Sequence, residues 1–174
     1  MRQEKKVLVV IDLQNDYFPG GLFPLWNAEA ILDAVVAAIG RAKELAIPVV
    51  LVQHVAKAGG APFFNPGTPG VAFHPRLLAA APDAPVVVKG HADGFVDTDL
   101  ETVLAGCGAE HLLFCGMMTQ NCVTHTAISR AAEKYRVSIL GDCCTTVSEL
   151  LHLIALNAVS TRGIVTTSAE ALAG

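Results

Sequence analysis

Six short runs rich in valine and isoleucine recur along the chain, at Val7 to Ile11, Pro48 to Gln53, Pro85 to Lys89, His111 to Gly116, Val137 to Leu140 and Ile164 to Thr167. Each has the length of a strand, and each is continuously apolar rather than alternating, as strands covered on both faces are. Segments of helical spacing separate several of them, at Asn27 to Leu45, Asp97 to Gly106, Thr119 to Tyr135 and Ser148 to Thr161, with Thr119 and Ser148 placed as N-caps. This alternation predicts an α/β fold: a three-layer α/β/α sandwich around a six-stranded parallel sheet, Rossmann-like in outline. Between Val55 and Leu78 the sequence turns to Ala, Gly, Pro and Phe, including Gly59 and Gly60. That stretch is too long and breaker-rich for a turn, and is expected to be an ordered loop over a site.

Composition narrows the class. With 174 residues, 52% of them hydrophobic and 16% charged, the chain has the material for one packed domain spanning residues 1–174, and intrinsic disorder is excluded. Sixteen acidic against twelve basic side chains leave a net charge of -4 with no Lys/Arg block, so nucleic acid is not an expected partner. The opening from Met1 to Asp12 has neither a signal sequence's apolar core nor the length of a membrane span, which predicts a cytoplasmic protein without a membrane partner. Five cysteines, an odd number with Cys143 and Cys144 adjacent, read as reduced thiols rather than a disulfide framework.

In an open α/β sheet, ligands sit beyond the carboxyl ends of the strands, so the residues that follow each run are the candidates for chemistry. The first run ends in Asp12, the second in Gln53 and His54, the third in Lys89, and the fourth leads through Met117, Met118 and Thr119 to Cys122. A carboxylate, an ammonium and a thiol therefore converge. With a helix opening at Thr119, Cys122 falls in its first turn, where free N–H groups favour a thiolate. Asp12 at the end of an apolar strand needs a cationic partner or a catalytic purpose, and Lys89 supplies the first. Together they suit a nucleophile, its base and a stabilising cation. Cys107, Cys115, Cys143 and Cys144 read as structural, though the last two follow the fifth strand and lie toward the site. His125, one turn past Cys122, reads as a packing or cap residue. Phe18, Trp26, His54, Phe63, Phe64, His91 and Phe95 are candidates for a small-molecule pocket. No glycine-rich turn follows Asp12 and no Cys-x-x-Cys is present, so neither a dinucleotide cradle nor a thiol redox motif is expected.

Three ordered blocks carry a family resemblance. They are Val-Val-Ile-Asp-Leu-Gln-Asn-Asp-Tyr-Phe at 9 to 18, Lys89 with Gly94-Phe95 and Thr98-Asp99-Leu100, and Cys-Gly-Met-Met-Thr-Gln-Asn-Cys-Val-Thr-His-Thr-Ala at 115 to 127. Asp142 and the Ser148 to Ala158 helix with His152 extend the match. The chain resembles the isochorismatase-like cysteine hydrolases, a superfamily of nicotinamidases, N-carbamoylsarcosine amidohydrolases, streptothricin hydrolases and siderophore isochorismatases. The resemblance implies Asp12 as general base, Lys89 as third member of the triad and Cys122 as nucleophile. It also implies a cis peptide between Met117 and Met118 and an oxyanion hole from the N–H groups of Met118 and Cys122; Met117 is a further candidate for substrate contact. The family's strand order puts the third strand two ladder spacings, roughly 10 Å, from the first, so Lys89 must lean inward to reach Asp12.

Departures from the family pattern matter as much. Nicotinamidases carry an Asp-x-His element and further histidines that hold a metal, whereas this chain has Val52-Gln53-His54 and then His74, with no carboxylate. No metal or other cofactor is therefore expected. Siderophore isochorismatases lack the cysteine, so Cys122 directs the reading to a cysteine-dependent hydrolase that cleaves a small amide through a thioester. The alternative is a vinyl ether hydrolase in which Cys122 is incidental. Gly94 replaces the family's usual Ser. The partner is a small-molecule substrate, and a homo-oligomer, dimer or tetramer, is expected through the apolar helices Ala30 to Ile39 and Leu150 to Ala158.

Overall fold

The computed structural model describes residues 4–57 and 60–174. Met1, Arg2, Gln3 and Gly59, on which part of the sequence reading rests, lie outside the described residues. Strands β1 (Lys6–Ile11), β2 (Val49–His54), β3 (Val86–Lys89), β4 (His111–Met117), β5 (Arg136–Thr145) and β6 (Val165–Thr166) form one all-parallel sheet in the order β3-β2-β1-β4-β5-β6. Helices flank it: α1 (Ala28–Glu44), α2 (Pro75–Ala80), α3 (Leu100–Gly106), α4 (Thr124–Ala127), α5 (Glu149–Ser160) and α6 (Ser168–Ala171). The α/β class and the six-stranded parallel sheet stand as expected.

The sheet's centre explains its apolar sequence. Every residue from Val7 to Ile11 is inaccessible to solvent, and β4 is buried along its whole length. The edge strand β3 departs from the continuous reading, because only one of its faces is covered: Val87 is buried while Val86 and Val88 are 45% and 52% exposed. Helix α1 buries Ile31, Leu32, Val35, Ala38, Ile39 and Ala42, the face expected from a 3.6-residue repeat. Its larger apolar side chains are thus taken by the core, with Ala30 and Ala37 left exposed. Helix α5, capped by Ser148 Oγ accepting from Leu151 N–H at 3.3 Å, instead leaves Leu150, Leu153 and Ile154 more than half exposed.

Three expectations of secondary structure need correction. The long helix from Thr119 to Tyr135 is broken into a π-helical turn (Thr119–Val123), α4 and a 3₁₀ turn (Arg130–Ala132). Ser129 is extended and starts that last turn by accepting from Ala131 N–H, while the Thr126 hydroxyl bonds the carbonyl four residues back. The loop from Val55 to Leu78 contains the start of α2, opened by Pro75 and capped by His74 Nδ1, which accepts from Arg76 N–H. Strand β5 runs past Leu140 because its register against β4 jumps from Phe114–Ile139 to Gly116–Cys144, so an irregularity between Ile139 and Cys144 absorbs three extra residues of β5.

One glycine is required by the close approach of β1 and β4. Gly116 has φ +119, and a Cβ there would overlap the Ile11 carbonyl oxygen. That contact brings the residue after β1, Asp12, beside the turn that follows β4. Among the described residues no helix is long and apolar enough to cross a membrane.

Candidate active site

Asp12 leaves β1 with φ 55, its N–H donating to the Val52 carbonyl at 2.9 Å. This turns its carboxylate away from the sheet and toward the carboxyl edge. Lys89 ends β3 two strands away, and its stem spans the gap: Nζ lies 2.9 Å from Asp12 Oδ2, with both side chains wholly buried. The inward lean asked of Lys89 is what the structure shows. The ammonium also donates to His54 Nδ1 at 2.9 Å and to the His91 carbonyl at 3.1 Å. His54 sits opposite Lys89 in the β2–β3 register, which places it there. Apart from the Lys89 ammonium and the Cys122 thiol, Asp12 has no donor among the described residues, so its charge is balanced by Lys89.

Cys122 completes the cluster. Its sulfur, a carboxylate oxygen of Asp12 and a ring nitrogen of His54 lie within 4.8 Å of one another, and the thiol interacts with both Asp12 and Lys89. The π-helical turn holding Cys122 follows a cis peptide between Met117 and Met118. Thr126 fixes the turn to its neighbour: its hydroxyl donates to the Cys122 carbonyl at 2.7 Å and accepts from Gly94 N–H at 2.9 Å. A Cβ at Gly94 would come within 3.2 Å of Thr126, so the loop after β3 approaches this closely because residue 94 is bare.

The thiol is not the ready thiolate expected from a helix N-terminus. Burial and the charge of Asp12 push its pKa well up, and Lys89 pulls it down by less. Without the long helix the dipole is short as well. The resting site holds a carboxylate, an ammonium and a neutral thiol. The other buried thiols are higher too: burial first, then Asp142, pushes Cys143 up to about 12, and Cys115 and Cys144 follow the same cause. Cys143 and Cys144 lie near the end of β5 among buried neighbours, the latter donating to the Leu140 carbonyl.

Several residues around the cluster escaped the sequence reading. Gln14 pairs with the His54 backbone through both amide ends, Oε1 accepting from His54 N–H and Nε2 donating to His54 O, each at 2.8 Å. Buried Asp16 accepts from Leu22 N–H and from Phe64 N–H, tying the 60s segment over the site. Tyr17 is buried against Phe63 and Phe64, at ring distances of 5.4 and 4.5 Å. Burial, then Asp12 and Cys122, raise its phenol well above the usual range. Thr119 Oγ1 and His152 Nδ1 are 2.9 Å apart, a buried pair linking the Cys122 turn to α5. The signal for Gln14, Asp16 and Tyr17 was present as polar residues directly after a wholly buried strand.

The expected pocket residues are spread. His54 is in the cluster and Phe64 packs 5.9 Å from its ring. Trp26 packs near His152 and is 37% exposed, and Phe95 packs half-buried beside Gly94. Phe18 stacks on His74 at 4.6 Å and is buried there. Met117 is wholly buried as the end of β4, so its side chain belongs to the core. His91 joins Lys57 and Asp97 in an exposed network, and His125 caps its turn through the Asn121 carbonyl at 2.8 Å.

A parallel sheet that gathers a carboxylate, an ammonium and a thiol at its carboxyl edge defines a hydrolase-type site on an α/β scaffold. Comparison with known proteins gives the family: the isochorismatase domain matches residues 6–171, and the chain belongs to the isochorismatase family of hydrolases. It is 34% identical to the isochorismatase family protein YddQ of Bacillus subtilis over 141 residues, covering 81% of this chain and 78% of that one. It is 30% identical to a streptothricin hydrolase of Streptomyces noursei, covering 81% of this chain but 50% of the relative. The pyrazinamidase of Pyrococcus horikoshii, solved in complex with zinc, superposes with TM-score 0.81 at 26% identity, covering 94% of this chain and 99% of that one.

The zinc of that relative raises the question whether this chain's residues fit a metal. Among the described residues, the one set of three His, Cys, Asp or Glu donors close enough is Asp12, His54 and Cys122. The Lys89 ammonium already sits on two of them, 2.9 Å from each, and a second cation there would meet it directly. His74 is committed to capping α2, and His91 to Asp97 and Lys57. These residues do not fit a divalent ion.

Proposed function

We propose that this protein hydrolyses the C–N bond of a small carboxamide, carbamoyl group or lactam through a thioester on Cys122. The observation that carries the proposal is the buried contact of the Cys122 thiol with the Asp12–Lys89 pair, at a site whose charges already cancel. As Sγ attacks the substrate carbonyl, its proton passes to Asp12, and the oxyanion is met by the N–H groups of Met118 and Cys122. Asp12 then returns the proton to the leaving nitrogen, the C–N bond breaks, and an amine or ammonia departs. Water, losing a proton to Asp12, attacks the thioester; collapse expels the sulfur, which regains that proton, and a carboxylic acid leaves. Lys89 holds Asp12 in place and balances the negative charge throughout. The name of the streptothricin hydrolase and that of the pyrazinamidase support an amide-type substrate.

Rapid-quench mass spectrometry during turnover of small carboxamides, with ammonia release as the rate readout, tests this. A covalent acyl adduct is expected on the peptide that holds Cys122 and is expected to vanish in Cys122→Ala. Absence of any adduct, with Cys122→Ser hydrolysing a vinyl ether as fast as the parent, replaces the amidase reading by the ether hydrolase.

A further inference from the structure

The hydrogen bonds of Lys89 determine the state of its neighbour His54. An ammonium has three hydrogens and no lone pair, so it can only donate. Its nitrogen and oxygen partners are Asp12 Oδ2, His54 Nδ1 and the His91 carbonyl, at 2.9, 2.9 and 3.1 Å. Lys89 is the charged form, because the Asp12 carboxylate lies 2.9 Å from its Nζ and the net direction of its pKa is upward despite burial. His54 Nδ1 must therefore accept, and the ring proton must sit on Nε2. Nothing among the described residues takes that proton: the His54 side chain makes one hydrogen bond, to Lys89, and Nε2 lies at the far side of the ring. The ring is half-buried, has a nitrogen within 4.8 Å of the Cys122 sulfur and of Asp12, and is backed by Phe64. Its backbone is held on both sides by Gln14, which prevents the residue from turning away.

We infer that His54 is a substrate-contacting residue, a neutral imidazole locked by Lys89 so that Nε2–H donates to an acceptor on the acyl side of the bound amide. This rests on the amidase reading and deepens it, for it specifies the substrate class. The acyl group carries an uncharged acceptor, a carbonyl or ring nitrogen, close to the scissile carbonyl, and does not present an ammonium or a second N–H there. A fixed donor in a half-buried site discriminates strongly, because a substrate without the acceptor strands the N–H away from water. His54 thus acts through a hydrogen bond, with Lys89 in the place a cation would occupy.

The test uses the full chain with ¹⁵N-labelled histidine and the probes pyrazinamide and benzamide, in which both ring nitrogens, one of them next to the carboxamide-bearing carbon, are replaced by C–H. Long-range ¹H–¹⁵N correlation at neutral pH is expected to report His54 as the Nε2–H tautomer, and Lys89→Met is expected to release it to a mixture. Pyrazinamide is expected to shift the Nε2 resonance and benzamide to leave it unmoved. In catalysis kcat/KM is expected to favour pyrazinamide by about tenfold or more, and this ratio is expected to collapse toward one in His54→Phe, which keeps the ring and removes its nitrogens. An Nδ1–H tautomer or an imidazolium in the parent overturns the inference, as does an equal response to both probes. If Cys122 adducts form without discrimination by His54, this inference alone fails. If pyrazinamide shifts Nε2 but no amide ever yields a Cys122 adduct, the amidase reading fails and the donor role stands.

Discussion

Replacing Asp12 by Asn leaves the Lys89 ammonium buried with no counter-charge, which makes the pair's energetics measurable. Asn tolerates the φ of 55 at this position and keeps the shape of the side chain, so the backbone turn after β1 is undisturbed. Both partners are inaccessible to solvent, and breaking a buried pair by removing one member costs about 3–5 kcal/mol. For a chain of this size that is a fall in Tm of roughly 6–20 °C. The pH dependence has a defined sign. In the parent the Lys89 pKa is raised, so its contribution is fully present below about pH 10.4 and is lost only as pH climbs through the folded value. In Asp12→Asn the rise due to Asp12 is gone and burial dominates, so the folded pKa drops below the unfolded one. The folded variant then sheds its proton more readily than the unfolded chain, and the stability gap to the parent narrows as pH rises. Urea unfolding at about pH 7 and about pH 9.5 reads the gap at each end, where folding linkage sets the slope. Asp12→Asn with Lys89→Met removes both charges, and is expected to recover most of the loss at neutral pH. A gap that is constant between the two pH values, or a double variant as unstable as the single one, refutes the reasoning. Turnover in Asp12→Asn is expected to fall by roughly 10²- to 10⁴-fold, the usual worth of a general base.

Alkylation of Cys122 by iodoacetamide, followed by peptide mass spectrometry, is expected to accelerate steadily as pH rises from about 6 to about 9, because burial and Asp12 raise the thiol's pKa; a rate that levels off below neutrality would restore the thiolate. Thr126→Val is expected to lose about 1–3 kcal/mol of stability in urea unfolding, since Gly94 N–H is left without its acceptor, while Thr126→Ser retains the parent's stability and kcat. Equal losses in both Thr126 variants would mean that the methyl group, not the hydroxyl, holds the turn. Dialysis against a chelator is expected to leave turnover unchanged, the Lys89 ammonium being seated on the donor set; recovery of lost activity by added zinc would contradict that.

The parts of this molecule that could be read in advance are those whose cause is local. Val7 to Ile11 read as a central strand because burial on both faces leaves no polar alternation, and Asp12 stood out because a carboxylate ends that run. Lys89 and Cys122 followed from the same logic of strand ends. What was misread depends on distant partners. The segment after Thr119 keeps a helical spacing of apolar residues, yet its threonines bond backbone carbonyls and Ser129 restarts the chain, so the pattern survives while the helix does not. Thr126 acts on Gly94, 32 residues earlier, and Asp16 on Phe64, 48 residues later. No periodicity announces such bonds. The thiol's state was misjudged for the same reason, because the helix dipole is a local argument, whereas the opposing charge of Asp12 arrives from the other end of the fold.

The charge count of the resting cluster constrains how the reaction proceeds. Asp12 and Lys89 cancel, and the thiol is neutral, so the buried centre carries no net charge. Ionising Cys122 to bulk solvent before substrate arrives would leave a net negative charge in a region from which water is excluded, a costly state. Moving the proton only as far as Asp12 leaves the count unchanged, and the Lys89 ammonium then faces the new anion on sulfur in place of the carboxylate. On the proposed thioester route the attack and the proton transfer are therefore coupled, with Lys89 making either arrangement acceptable. The same count disfavours an anion at the scissile carbon, since it would add a charge that no remaining cation in the cluster balances. A neutral carbonyl suits it, because negative charge appears on its oxygen only as the bond to sulfur forms and as N–H donors take it up. On the proposed amidase reading, that electrostatic balance, more than a pre-formed thiolate, equips the site to react with an uncharged amide.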